Sequence, residues 1–492
     1  MKEGEGSKIT NVIYLSGRRE RRSSDMMARP NQAGIMVKLT QQAAEFAAAL
    51  TFHDLPATAV KTIGFGFADC VAVIAAGRRE PVVHLLGDIE GSQPSGEAAI
   101  LFGERFARAD IAALINSAAA HALDFDDTGL SGHPSAVLVP AVLALGEATA
   151  ADGKRMLSAY VAGYEIWADL IGRQLDPLHA KGLHPTAVFG PIATAAATCN
   201  LLSLDGAQTR SALSLAASMS SGIVANFGSL AKHLQVGRAV QNGIQAARYA
   251  ARGITAAEDG LENRLGFLKA FAPAGRVDLE TEASFGNSWA IEREGLNIKL
   301  HPVCHAAQRS IDAALDLRER FGQTADAIEK LQIHIGRGQA SALRFSRPKD
   351  ALEARFSAEF VVASALLTGK VSLADLNDDY IRSDEIQSLI GRSELILSDE
   401  LDGEEPLFAP ADQVVLYTTS GERLESAPIR RARGHARNPV TIDILREKFH
   451  SCAGFADHEA ADELFDYLID PAGIDSVPAI NAMYRRASAV MN

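Results

Sequence analysis

The spacing of apolar and polar residues changes character once along the chain, near Leu296. Before that point apolar positions recur at helical intervals. They predict helices over residues 41–50, 56–76, 109–123, 141–150, 153–171, 191–202, 205–217 and 236–253. Thr40 or its neighbourhood is expected to cap the first, Pro56 to open the second and Gly77 to close it, and Asp205 to cap a later one. Beyond Leu296, alternation predicts strands at 297–302 and 331–335, another at 394–398, and a hairpin of 414–419 with 423–426 about Ser420-Gly421. Helices over 306–321 and 358–367 lie between them. After Asn438-Pro439 helical spacing returns, over 442–449 and 459–468.

This pattern predicts a mainly α protein with a large all-helical domain and an inserted α+β lid domain. The helical domain takes residues 36–294 and is discontinuous, because the helices of 435–492 return to it; the lid takes 295–434. Residues 1–35, basic at 17–24 and without periodicity, read as a disordered leader or as sequence upstream of a start at Met36.

Composition narrows the function. In 492 residues, 47% hydrophobic and 22% charged content is that of a globular protein, and the 6% aromatic share with abundant Ala suits closely packed helices. A net charge of −13 argues against nucleic acid or an anionic membrane surface as partner. Gly, Ser, His or charge interrupts each apolar run before it reaches membrane-spanning length, so no membrane partner is expected. Cys70, Cys199, Cys304 and Cys452 are scattered and offer neither a disulfide framework nor an iron–sulfur or zinc pattern, which fits a cytoplasmic protein. Neither a dinucleotide-binding nor a Walker-type glycine loop occurs, so no nucleotide cofactor is expected.

Four polar clusters interrupt apolar sequence. The first, HALDFDDTGLSGHPSA from His121, packs Asp124, Asp126, Asp127, Thr128 and His133 between two apolar runs. Burying such groups is costly unless they are paired, so the loop reads as a site, with helix capping by Asp126 and Asp127 as the alternative. A metal set of these aspartates with His121 lacks a standard second set of ligands, and no metal is expected. The second cluster places His184 before a helix start, where an anion is favoured. The third, NFGSLAKHLQVGRAVQNG from Asn226, carries Lys232 and Arg238, suited to carboxylates. The fourth, KLHPVCH from Lys299, sits at the expected domain junction. Strand alternation there would put Lys299 and His301 on one face, with Cys304 read as an inert thiol and His305 as a further imidazole. Together these supply bases, acids and positive charge, which proton abstraction beside a carboxylate requires.

At these residues the chain resembles the MmgE/PrpD family, whose members include 2-methylcitrate dehydratases, cis-aconitate decarboxylases and iminodisuccinate epimerases. HALDFDDT…HPSA and NFGSxAKxLxxGRAxQNG carry the resemblance, which runs from near Leu39 almost to the C-terminus. It implies a cofactor-free enzyme, usually a homodimer, whose cleft is lined here by Asp124, Thr128, His133, His184, Lys232 and Lys299. The chain departs from the decarboxylase pattern at Phe360, in the place of an active-site tyrosine, at Gln235, in the place of a common histidine, and in the register around Cys304 and His305. Its DFDDT also replaces a DFNDT associated with bacterial dehydratases. The leading expectation is a dehydratase of a small polycarboxylate. Lys232, Lys299 and Arg238 would hold carboxylates, helped by Thr128, His301 and His305. Asp124 or His133 would remove the α-proton, and His184 would protonate the leaving hydroxyl. An epimerase or decarboxylase of a related acid, or a non-catalytic carboxylate-binding protein, are the alternatives.

Overall fold

A computed structural model describes residues 38–322, 325–405 and 407–488; the expected leader, residues 1–35, lies outside them. The described chain is mostly helical with a small sheet.

The Ala109–His121 helix is central to the larger of two main apolar cores. It packs on the Ala57–Gly77, Pro134–Thr149 and Leu230–Ala251 helices, and the Pro185–Leu201 helix packs against the last. Small residues allow this: a Cβ on Gly77 would lie 2.0 Å from the Ala119 carbonyl oxygen, and one on Gly237 2.6 Å from that of Leu114. The Ile442–Ala453, His458–Ile469 and Val477–Ser488 helices bury Leu445, Phe465 and Ile480 in this same core. A two-residue ribbon, Ala98–Ala99 against Phe106–Ala107, interrupts the otherwise helical N-terminal part.

The second core, from Val303 to Leu416, lies under a four-stranded sheet. Ile328–Gly336 runs parallel to Ser393–Ser398 and antiparallel to Gln413–Thr418, which pairs with Arg423–Glu425 across the expected hairpin. Gly421, at φ +88°, makes that turn.

Three expectations need correction. Thr40 does not cap the first helix, which begins at Leu39; its hydroxyl donates to Glu262 and accepts from the Leu261 N–H. Residues 297–302 form no strand, because their backbone is divided between partners on two sides: Asn297 pairs with Thr128, and the Ile298 N–H reaches Gly434. The Ala57–Gly77 helix is long and apolar enough to cross a membrane by length and composition, despite the interruptions read in the sequence. However, 72% of that stretch is buried within the protein, and Asp69 on it pairs with Lys448.

Candidate functional site

The loop of residues 122–133 joins the Ala109–His121 and Pro134–Thr149 helices, and buries Asp124, Asp126 and Asp127. Asp124 has φ +51°. A side-chain-bearing residue held there costs on the order of 1–3 kcal/mol and persists only when its surroundings over-determine it. Here they do. Lys232 Nζ donates to Asp124 Oδ2 at 2.7 Å, while Lys299 Nζ donates to the Asp124 carbonyl at 2.7 Å and to Oδ1. Burial alone would raise the Asp124 pKa, but the two ammonium groups outweigh it and hold the carboxyl well below its usual range. For Lys299, burial pulls the pKa down and the Asp124 charge more than restores it, so the ammonium titrates above its ordinary value. Two cations thus share one carboxylate, leaving positive charge to spare in a water-poor place.

Imidazoles surround this centre. His121 Nδ1 and His133 Nδ1 lie 3.0 and 2.9 Å from Asp126 Oδ2. With that carboxylate ionised, each Nδ1 carries a proton toward it, and the ring's Nε2 faces away from Asp126. Burial would raise Asp126, but His133 and His121 hold it well below the ordinary value. Burial, then the Lys232 charge, pulls His121 down to about 3, so it is neutral. His184, the residue before the Pro185–Leu201 helix, donates Nδ1–H to Gln235 Oε1 at 3.0 Å. Burial and then Lys232 hold it well below its usual pKa, again neutral with Nε2 open. Phe227 and Phe356 put ring faces 5.1 and 5.2 Å from Lys232 Nζ.

Asp127 differs. Burial pushes it up to about 8 against its Ser135 hydrogen bonds, and Asp69 and Asp126 add to the rise. It is a neutral acid that accepts the Ser135 N–H at 3.2 Å at the start of the next helix, so the capping alternative describes this one aspartate. Thr128 joins the loop to Asn297 through a reciprocal pair of backbone hydrogen bonds of 3.0 and 2.8 Å. Its hydroxyl accepts from Asn297 Nδ2 at 3.4 Å.

The structure therefore brings Asp124, His133, His184, Lys232 and Lys299 together, with Thr128 alongside. It does not bring Arg238. Six residues after Lys232, about 240° round the helix, Arg238 is half-exposed, hydrogen-bonded to Gln241 and 3.8 Å from Glu90. His301 also turns away, because without strand alternation Lys299 reaches Asp124 while His301 Nδ1 meets the Val371 carbonyl. His305 packs on Phe408, its ring centroid 5.7 Å away, and burial lowers it to about 3, with Glu405 opposing and Lys299 assisting. Burial and Asp124 push the Cys304 thiol up, so it is not primed as a nucleophile.

Sequence reasoning undervalued or missed several members. His121 forms the hub, its ring centroid 4.3, 6.4 and 5.7 Å from those of His133, His184 and His233. His179, half-buried and lowered by its surroundings to about 4, adds a further imidazole beside Phe227. Lys448 carried a readable signal: with Leu445, Phe449 and Cys452 it lies in a buried stripe at helical spacing, where a lysine is out of place unless paired. Among the described residues, His121, Asp126 and His133 offer ligand atoms within 4.8 Å of one another and could hold a metal ion, although both Nδ1 atoms already meet Asp126.

Residues 41–280 match the MmgE/PrpD N-terminal domain and residues 301–467 the MmgE/PrpD C-terminal domain. The chain belongs to the MmgE/PrpD family. Asp124 and Lys232 lie inside the first matched segment and Lys299 between the two, while Phe356, beside Lys232, lies in the second. The relatives are similar over most of their length. A cis-aconitate decarboxylase of Homo sapiens is 27% identical over 411 residues, covering 80% of this chain and 81% of its own. One of Mus musculus is 28% identical over 359 residues, 70% and 71%. One of Aspergillus terreus is 24% identical over 474 residues, 90% and 95%.

Proposed function

We propose that this MmgE/PrpD protein is a lyase acting without a cofactor on a small polycarboxylate, and that it decarboxylates a cis-aconitate-like acid. The observation that carries this reading is the Asp124 carboxylate held between the buried ammonium groups of Lys232 and Lys299. The relatives' names favour decarboxylation over the dehydration expected from the sequence. Excess cation beside Asp124 would receive substrate carboxylates. In the reaction the bond to one carboxyl carbon breaks and CO2 leaves. The electron pair delocalises toward a conjugated carboxylate facing the lysines, and a proton completes the new C–H bond. The open Nε2 atoms of His133 and His184 are the candidate proton carriers. Burial first and then the Lys232 charge keep His184 neutral; an arriving polyanion would offset the second of these, raising the pKa and favouring the charged imidazole at the reacting carbon.

One observation favours a second reading. Phe360 is fully buried, in edge contact with Tyr380, and presents no hydroxyl where the decarboxylase resemblance calls for one. Dehydration of a 2-methylcitrate-like acid, or epimerisation, would follow if that hydroxyl is needed only for decarboxylation. Incubation with cis-aconitate, 2-methylcitrate and related acids in D2O, followed by NMR, separates these. Loss of CO2 with deuterium at carbon supports the proposal. Loss of a hydroxyl, or exchange alone, supports dehydration or epimerisation. Binding without exchange of any acid would leave a carboxylate-binding protein.

A further inference from the structure

Three cations hold the loop of residues 122–133 by its main chain, each from a different stretch of sequence. Arg355 Nη1 donates to the Ala122 carbonyl at 2.9 Å, Lys299 Nζ to that of Asp124 at 2.7 Å and Lys448 Nζ to that of Phe125 at 2.8 Å. Lys299 and Lys448 are matched by Asp124 and Asp69. Arg355 is not matched in this way. It is 5% exposed, its Nε is buried without a hydrogen-bond partner, and Glu80, Asp124 and Asp350 act on it only through space. A guanidinium this poorly paired is a liability to stability, so its value must lie in what it holds.

Its position supplies the reason. Arg355 sits between Ala354 and Ala358 of the second core, and its carbonyl accepts the Cys304 N–H at 3.0 Å. Ala122 and Leu123 belong to the first core. We propose that Arg355 is a positioning residue: seated in the second core, it fixes the Ala122 carbonyl and keeps Asp124 in its left-handed turn between Lys232 and Lys299. Seating of one core on the other thereby sets the geometry of the site. The activity readout rests on the lyase reading; the exchange readout does not.

The test compares Arg355→Met, which keeps bulk without a donor, with Arg355→Lys, which keeps a cation able to reach the carbonyl. Misplacement of a reacting group by about 1 Å can lower turnover about 10²-fold, and a loss of this order in kcat, with KM little changed, is expected for Arg355→Met. Arg355→Lys should recover most of it. Hydrogen–deuterium exchange of a peptide spanning residues 119–130 should quicken in Arg355→Met and not in Arg355→Lys. Arg355→Leu, likewise without a donor, serves in the same way if the Met variant does not fold. A raised KM at unchanged kcat would make Arg355 a substrate contact, and unchanged exchange would remove the positioning role; either result overturns the proposal. If the wild type turns over none of the acids, the lyase reading fails and the exchange comparison still decides this one.

Discussion

Among the described residues, the charges around Glu405 and those around Asp124 are built differently. Around Glu405, valences are used up. Glu405 meets Arg309, His435 Nε2 at 2.9 Å and Arg431 Nη1 at 3.3 Å. Asp412 accepts from Ser310 and Gln339 at 2.9 Å, and Asp402 accepts from the N–H groups of Glu404 and Glu405 as well as from Arg431. Burial would raise Glu405, but His435 and Arg309 bring it down to about 2. Around Asp124, by contrast, two lysines share one carboxylate, His121 Nε2 and Asp127 Oδ2 are buried without partners, and the backbone is strained. The first group relies mainly on arginine, whose planar fork closes on carboxylates, with the His435 imidazole spent on Glu405; the second uses lysines and imidazoles that keep capacity in reserve. A closed group holds a fold together, whereas an open one is arranged to receive something.

That contrast can be broken experimentally. The largest effect is expected at Lys232. Replacing Lys232 by Met should lower turnover by about 10²–10³-fold, the scale seen when one preorganised charge-stabilising donor is removed. Arg238→Ala, on the same helix but outside the site, should leave turnover unchanged; equal losses in steady-state kinetics would erase the distinction. Next comes Glu405→Gln, which strands Arg309 with a weaker partner. Breaking a buried pair typically costs about 3 kcal/mol, so urea unfolding should show a loss of that order while turnover per folded molecule is little changed. A large fall in kcat would show that the second group is not merely structural.

The smallest effect concerns Asp127. Its carboxyl is protonated in the fold up to about pH 8, against an ordinary value of 3.8, so the folded state binds the extra proton across that window. Stability from this group is therefore full below the ordinary value and lost as pH rises toward about 8. Asp127→Asn removes the dependence. The Tm of the variant should gain on the wild type between acidic pH and about pH 8, by about 1 °C for each kcal/mol recovered in a chain of this length. A constant difference would mean that Asp127 is already ionised.

The sequence made the site's components legible because each charged cluster interrupts an apolar run, and Asp124, Lys232 and Lys299 meet as complementary charges must when buried. Facing was harder to read. Arg238 shares a motif with Lys232 but not a helix face, and His301 depended on a strand that divided backbone partners prevent. Lys448 stood in plain view as a lysine on an apolar stripe, yet its partner Asp69 lies near the other end of the chain, and local periodicity carries no information about such distances. Thr40 illustrates the same limit: a residue with every local sign of a cap instead ties down Glu262 and Leu261.

The contact between Lys448 and the Phe125 carbonyl spans 323 residues. A ribosome working at about 5–20 residues per second needs on the order of tens of seconds to cover that span. During that interval the nascent loop has its aspartates but not this cation, and Asp69 lacks the counter-charge that opposes the effect of burial on it in the finished fold. The arrangement makes the site a late event in the life of each chain, completed only once its distal helices have emerged.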